Sequence, residues 1–145
     1  MNIDELKEMW AEESVIVQTD LTRESLRSPH LHSKYLDILI NAKMRAAAYR
    51  HDLARLHLLK SRYWKGELTK EELAEQGWPQ YQYNKPLKSE VDGMLDADAE
   101  CIKIKTKIEY LELMIFQLDS IMNAIKSRGW DIRNAIDFLK YQSGL

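Results

Sequence analysis

Residues 94–125, MLDADAECIKIKTKIEYLELMIFQLDSIMNAI, decide the fold. Met94, Ala97, Cys101, Ile104, Ile108, Leu111, Ile115, Leu118, Met122 and Ile125 recur there at alternating steps of three and four, with no polar residue among them. Such steps return side chains to one line of an α-helix, so the spacing predicts a long helix with an apolar seam for a partner. Tyr110, Leu113, Met114 and Phe116 lie off the seam and widen the apolar face beyond what one partner helix covers. Short helices or other subunits must cover the excess, and assembly is the expectation. Gly93 weakens the start, where Asp96 and Asp98 mark a fresh helix start or a kink. Lys126 and Arg128 suit a last turn, and Gly129 is read as the terminator. Asp131 then caps a final helix carrying Ile132, Ile136 and Leu139, with Phe138 beside them.

Working outward, a second stripe supplies the partner. Tyr35, Leu39, Ala42, Ala46, Tyr49, Leu53, Leu56, Lys60 and Tyr63 follow the same rhythm, interrupted only by Lys60. Ser28-Pro29 reads as an N-cap with proline at the first helical position, and Gly66 as the C-terminal stop. Thr69 to Glu72 is a capping box for a short helix closed by Gly77. The prolines at 79 and 86 make Trp78–Pro86 a loop, with Trp78, Tyr81 and Tyr83 as candidate contact residues. Residues 2–13 predict an amphipathic helix capped by Asn2, and Val15, Ile16 and Val17 an extended connector. Asp20 is read as capping one turn through Arg27.

The expected fold is all-α: a long antiparallel helical hairpin with short flanking helices, assembling into a homo-oligomer. One helical domain spans 1–145. It comprises an acidic N-terminal helix and connector (1–27), a first long helix with a basic patch (28–66), a short helix and loop (67–87), a second long helix (88–129) and a C-terminal oligomerisation helix (130–145).

Composition agrees with such a domain. The chain has 145 residues, 45% hydrophobic and 30% charged, with five glycines and three prolines, which argues against disorder and fibrous structure. The lone Cys101 forbids an internal disulfide and suits a reducing compartment. With no long apolar run and no basic-then-apolar leader, the chain reads as soluble and cytosolic. Its formal charge of −2 hides segregation. Residues 1–25 carry −5 and residues 67–100 carry −6. Residues 43–65 carry +6, with Lys43, Arg45, Arg50, Arg55, Lys60, Arg62 and Lys65 against Asp52 alone. Such segregation suits a polyanion-facing surface, or else mutual neutralisation in the fold.

Catalytic motifs are scarce. The glycines never cluster into a phosphate loop, and the spacing of His30/His32 and His51/His57 fits no helical metal pair. Asp96, Asp98 and Glu100 lack the glycine and distal glutamate of a calcium loop. Cys101 sits on the apolar stripe as core filler. No enzyme, cofactor or metal is expected. What remains is the segment from Arg55 to Lys65. Arg55, Lys60, Arg62 and Lys65 can contact phosphates, and Tyr63 and Trp64 offer faces for bases, which fits single-stranded binding without sequence preference; alternatively, Tyr63 and Trp64 pack at the helix end and the cations are solvated. A cation at Lys60 on an apolar seam requires a reason, either DNA or a buried salt bridge to the acidic middle segment. The rival reading is a structural coiled-coil adaptor without direct DNA binding.

The residues also carry a family likeness. Ala124-Ile125-Lys126-Ser127-Arg128-Gly129-Trp130 resembles the Ala-Ile-Lys-Ser-Arg-Gly-aromatic signature of the UvsY family, recombination mediators of T-even-like bacteriophages. Ser33-Lys34-Tyr35-Leu36 and Leu59-Lys60-Ser61-Arg62 resemble two further family stretches, and Ala97-Asp98, Lys103, Thr106 and Tyr110 follow in the family order. The resemblance implies a non-enzymatic protein that binds single-stranded DNA and the phage recombinase. It would help the recombinase displace the phage single-strand DNA-binding protein and assemble a presynaptic filament in the cytoplasm of the infected host, with no membrane involved. It further implies hexameric or heptameric rings held by C-terminal helices, here through Ile132, Ile136, Phe138 and Leu139, and DNA contact by Lys60 and Arg62. Tyr63 to Gly66 depart from the family pattern, so stacking by Trp64 is inferred from residue type alone.

Overall fold

The computed structural model describes residues 1–144 and contains five helices and no strand among them. In chain order these are α1 (Ile3–Glu13), α2 (Leu21–Trp64), α3 (Lys70–Gln76), α4 (Lys88–Ala97) and α5 (Ala99–Gln142). The chain groups into two compact units. One comprises Met1–Met44 with the chain from Leu111 onward, and the other comprises Arg45–Tyr110.

In the first unit, α1 starts at the Asn2 cap, whose side chain accepts from the Glu5 N–H at 2.8 Å. Leu6 of α1 is fully buried in a core formed by Leu31, Tyr35, Leu39 and Ala42 of α2 with Met114, Leu118, Ile121, Met122 and Ile125 of α5. The seam positions of both long helices therefore meet here, and Met114 and Ile121 from beside the α5 seam are buried with them. The connector over residues 14–20 has no regular structure, apart from turns.

Two boundaries differ from expectation, and one cause explains both. Helix α2 begins at Leu21 and runs through Pro29, and α5 runs through Gly129 to Gln142. The expected start and stop fail because the buried stripes continue past them, with polar residues at the next stripe positions. Counting on from Ile125 by three and four reaches Arg128 and Ile132, both buried. Counting back from Tyr35 reaches Leu31, Ser28 and Glu24. Arg128 Nη2 donates to Glu24 Oε2 at 2.5 Å and to the Glu24 carbonyl at 3.3 Å, and Arg128 Nε donates to Ser28 Oγ at 3.2 Å. Arg27 adds 2.8 and 3.1 Å bonds to the Glu24 carboxylate. These bonds hold the turn preceding Pro29, offsetting the donor that proline removes.

Gly129 is not among the positive-φ glycines, and nothing stands within 4 Å of where its Cβ would lie. Gly129→Ala is therefore expected to stabilise the protein by about 0.5–1 kcal/mol, since alanine fits the helix and narrows the unfolded ensemble. Urea unfolding followed by helical circular dichroism measures the change.

In the second unit, Trp64, Val91, Leu95 and Cys101 form a core, with Leu53, Leu56, Tyr63, Tyr81 and Met94 packed on it. Thr69 caps α3 through a reciprocal box with Glu72, and Gly77 ends it at φ 69°. Of the two readings for residues 96–98, a fresh helix start is observed. Asp98 is extended (φ −68°, ψ 127°) and its carboxylate accepts from the Cys101 N–H at 3.1 Å, capping α5. The Cys101 thiol is pushed up to about 11 by burial and by the Asp98 charge, which keeps it an inert core group.

Candidate nucleic-acid interface

The C-terminal end of α2 divides its cations into two kinds. Lys60 and Arg62 are engaged internally, whereas Arg55 and Lys65 face solvent. Lys60 lies on the inward stripe and its side chain is 12% exposed. Its ammonium meets Asp98 Oδ1 at 3.2 Å and Glu100 Oε1 at 3.4 Å, and stands 4.6 Å from the Trp78 ring centroid. Burial raises the Asp98 carboxyl, but the Cys101 amide and Lys60 outweigh it and hold that carboxyl below its ordinary value. Lys60 thus neutralises the residue that caps α5.

Two residues along the helix, Arg62 forms a fork on Glu72, with Nη1 and Nη2 donating at 2.8 and 3.1 Å. Arg62 in turn holds the Glu72 carboxyl below its usual value, helped by the Thr69 amide. The pair is half-exposed, so solvent screens it and a competing anion can reach the guanidinium. Arg55 is different: its side chain is 81% exposed and its contact with Asp52 is a loose 3.6 Å. Lys65, in the turn after α2, is exposed as well. Lys85 passes close by, its Cε 3.8 Å from where a Gly66 Cβ would stand.

The aromatic groups separate in the same way. Trp64 is 8% exposed and belongs to the core, so of the two roles open to it, base stacking and packing at the helix end, packing is observed: its helix position points into the unit, toward Val91 and Leu95. Tyr63 is half-buried, donating from Oη to the Pro79 carbonyl at 2.7 Å. From Tyr63 a ladder of rings runs outward. Trp78 and Tyr81 lie 5.0 and 5.5 Å from Tyr63, and Tyr83 lies 5.6 Å from Tyr81. Tyr83 is the exposed end of the ladder. The loop singled out for its prolines therefore supplies the accessible ring, with half-buried rings behind it.

The four residues assigned to assembly also divide. Ile132 is buried within its own unit, because the α5 stripe runs on through it, and so is not a free interface residue. Ile136, Phe138 and Leu139 are exposed. Among the described residues no cluster of His, Cys, Asp or Glu is placed to hold a metal, and no helix is long and apolar enough to cross a membrane.

The salt bridge to the acidic middle segment, one of the two reasons open for Lys60, is present at Asp98 and Glu100, whereas the carboxylate partner of Arg62 was not legible in the sequence. Glu72 was visible as a capping residue, but its second role on Arg62 depends on where α3 folds back. The signal for Arg128 and Glu24 was present in the continued stripe count.

The comparisons with known proteins agree with this fold. The model of a family described as recombination, repair and ssDNA binding protein UvsY matches residues 9–145. The recombination protein uvsY of Enterobacteria phage T4 is 25% identical over 146 residues, covering 99% of each chain. Two crystal forms of the bacteriophage T4 recombination mediator protein UvsY superpose with a TM-score of 0.85 each. The lattice type II chain is 22% identical, with 99% of this chain and 98% of that one covered. The lattice type IV chain is 21% identical, with 97% and 99% covered.

Proposed function

This chain belongs to the UvsY family of recombination, repair and single-stranded-DNA-binding proteins, and from that premise we propose that it is a non-enzymatic recombination mediator. It binds single-stranded DNA without sequence preference and helps load the phage recombinase onto strands coated by the single-strand DNA-binding protein, in the cytoplasm of the infected host. The observation that carries this reading is the exposed Arg55 and Lys65 on the same unit as the ring ladder ending at Tyr83. Cations take phosphates of any sequence and an aromatic face accepts any base, so the pair of features selects strand rather than sequence.

Lys60 and Arg62 join this site in different ways. Arg62 exchanges Glu72 for phosphate, while Lys60 stays on Asp98 and positions the end of α2. The long helices act as an antiparallel hairpin, and copies associate through Phe138 and Leu139 into a hexameric or heptameric ring, while Ile136 lies on the neighbouring basic groove. Repetition of one modest cationic patch around a ring makes each further contact on the same strand intramolecular, which turns weak sites into tight wrapping.

The adaptor reading has one observation in its favour: the internal neutralisation of Lys60 and Arg62. The two separate in a filament-assembly assay, with recombinase added to an oligonucleotide already coated by single-strand DNA-binding protein. A mediator shortens the lag before recombinase ATP turnover begins. An adaptor without DNA contact leaves the lag unchanged, and that result contradicts the proposal.

A further inference from the structure

The first unit carries a basic–aromatic groove that the proposed function does not use. Lys126, Arg133 and Lys140 stand seven residues apart on α5, so they fall near one line of the helix at intervals of about 10 Å. Trp130 lies along the same line, between Lys126 and Arg133, and is 64% exposed. With Ser25 of α2, and with Ile132 and Ile136 of α5, these residues border an open groove of about 690 Å³, in which Asp137 is the acidic residue. The Arg133 guanidinium carbon is 5.3 Å from the Trp130 ring centroid, a cation–π pair lying in solvent.

This face differs in chemistry from its opposite. Phe138 and Leu139 border a separate cleft of about 320 Å³ with Gln18, Leu21, Ala135 and Gln142, where no charged side chain takes part. Contact between copies suits that cation-free side. The groove instead combines three cations with one exposed indole, and a partner offering only carboxylates would use the cations and leave the ring in water. A nucleic acid strand uses both, since phosphates repeat along it and every base has a π-face.

We propose that this groove is a second contact for single-stranded nucleic acid, with Lys126, Arg133 and Lys140 on successive phosphates and Trp130 stacked on a base. It rests on the proposed single-strand binding and adds a site remote in sequence from Arg55 and Lys65. A strand engaging both would meet each copy of the chain twice.

The test uses the full chain and a fluorescein-labelled thymidine oligonucleotide. Lys126→Gln/Arg133→Gln/Lys140→Gln is expected to weaken binding tenfold or more. It should also flatten the slope of log K against log salt by about two, since each neutralised phosphate on a single strand contributes about 0.7. Trp130→Leu is expected to weaken binding about fivefold or more with the slope unchanged, because stacking releases no counterions. Both variants should keep the wild-type melting temperature and sedimentation mass. Affinity unchanged in the triple variant overturns the proposal, and so does a fall in mass, which would place the face between copies. Weaker binding by the triple variant with none in Trp130→Leu leaves the indole without a base and overturns the proposed strand contact, which needs both. A wild-type chain that ignores the oligonucleotide refutes the underlying single-strand binding itself, a result distinct from a groove that fails alone.

Discussion

Replacing Arg128 with alanine is expected to cost about 3 kcal/mol of folding stability, the lower part of the range for breaking a buried ion pair by removing one partner. Arg128 and Glu24 have side chains 3% exposed, and the guanidinium also donates to Ser28 and to the Ser14 and Glu24 carbonyls. Removing it leaves a carboxylate in a dry site and three oxygens short of a donor. Arg27 keeps its own bonds to Glu24, which is why the cost stays at the lower end. Against a total stability of about 5–15 kcal/mol, such a change is large.

Replacing both partners reverses the sign of the argument. Glu24→Leu with Arg128→Met removes the desolvation penalty together with the attraction, and is expected to recover most of the stability. Acid supplies an independent check. Burial raises the Glu24 carboxyl, but the hydrogen bonds and charges of Arg27 and Arg128 outweigh it, so its pKa lies below the ordinary 4.5. A group depressed in the folded state contributes stability above its unfolded value and loses it as pH falls through the folded one. Wild type should therefore lose more stability below pH 4.5 than the double variant does. Urea midpoints at pH 7 and at progressively lower pH measure both effects.

Arg55→Gln with Lys65→Gln is expected to lower oligonucleotide affinity about a hundredfold at low salt, because every copy along the strand then holds two fewer phosphates. The melting temperature should hold, since exposed substitutions away from packing change stability by only about 0.5 kcal/mol. Lys60→Ala provides the contrast. It leaves the carboxylate that caps α5 without its cation, so melting falls together with binding. A lysine linked to DNA through a resemblance can act through the fold, and this pair of variants separates the two routes. Fluorescence anisotropy beside thermal melts reads both quantities on the same samples.

Much of the architecture was legible because period three–four stripes survive as buried faces. Asn2, Thr69 and Gly77 also mark their helix ends as their types require. Two boundaries were not legible, because local start and stop signals do not decide alone. Pro29 as a start and Gly129 as a stop are weak signals when tertiary bonds hold the adjoining turns, and local propensity carries no record of a partner a hundred residues away. The interface was legible as a composition and not as an arrangement. Arg55, Lys60, Arg62 and Lys65 are alike in the sequence, yet Lys60 falls on the inward stripe and Arg55 on the outward face. Trp64 and Tyr83 separate for a similar reason: a helix position fixes the first inside, while a loop carries the second out.

The central claim is that exposed cations repeated over an assembly hold a bare strand by its phosphates. Measuring the dissociation constant of the unmodified protein for a thymidine oligonucleotide between about 50 and 200 mM sodium chloride tests it directly. The account predicts affinity that falls steeply and linearly on logarithmic axes, with a slope of about −3 or beyond at roughly −0.7 per phosphate. A flat line across that range, or no binding at its low-salt end, would contradict it.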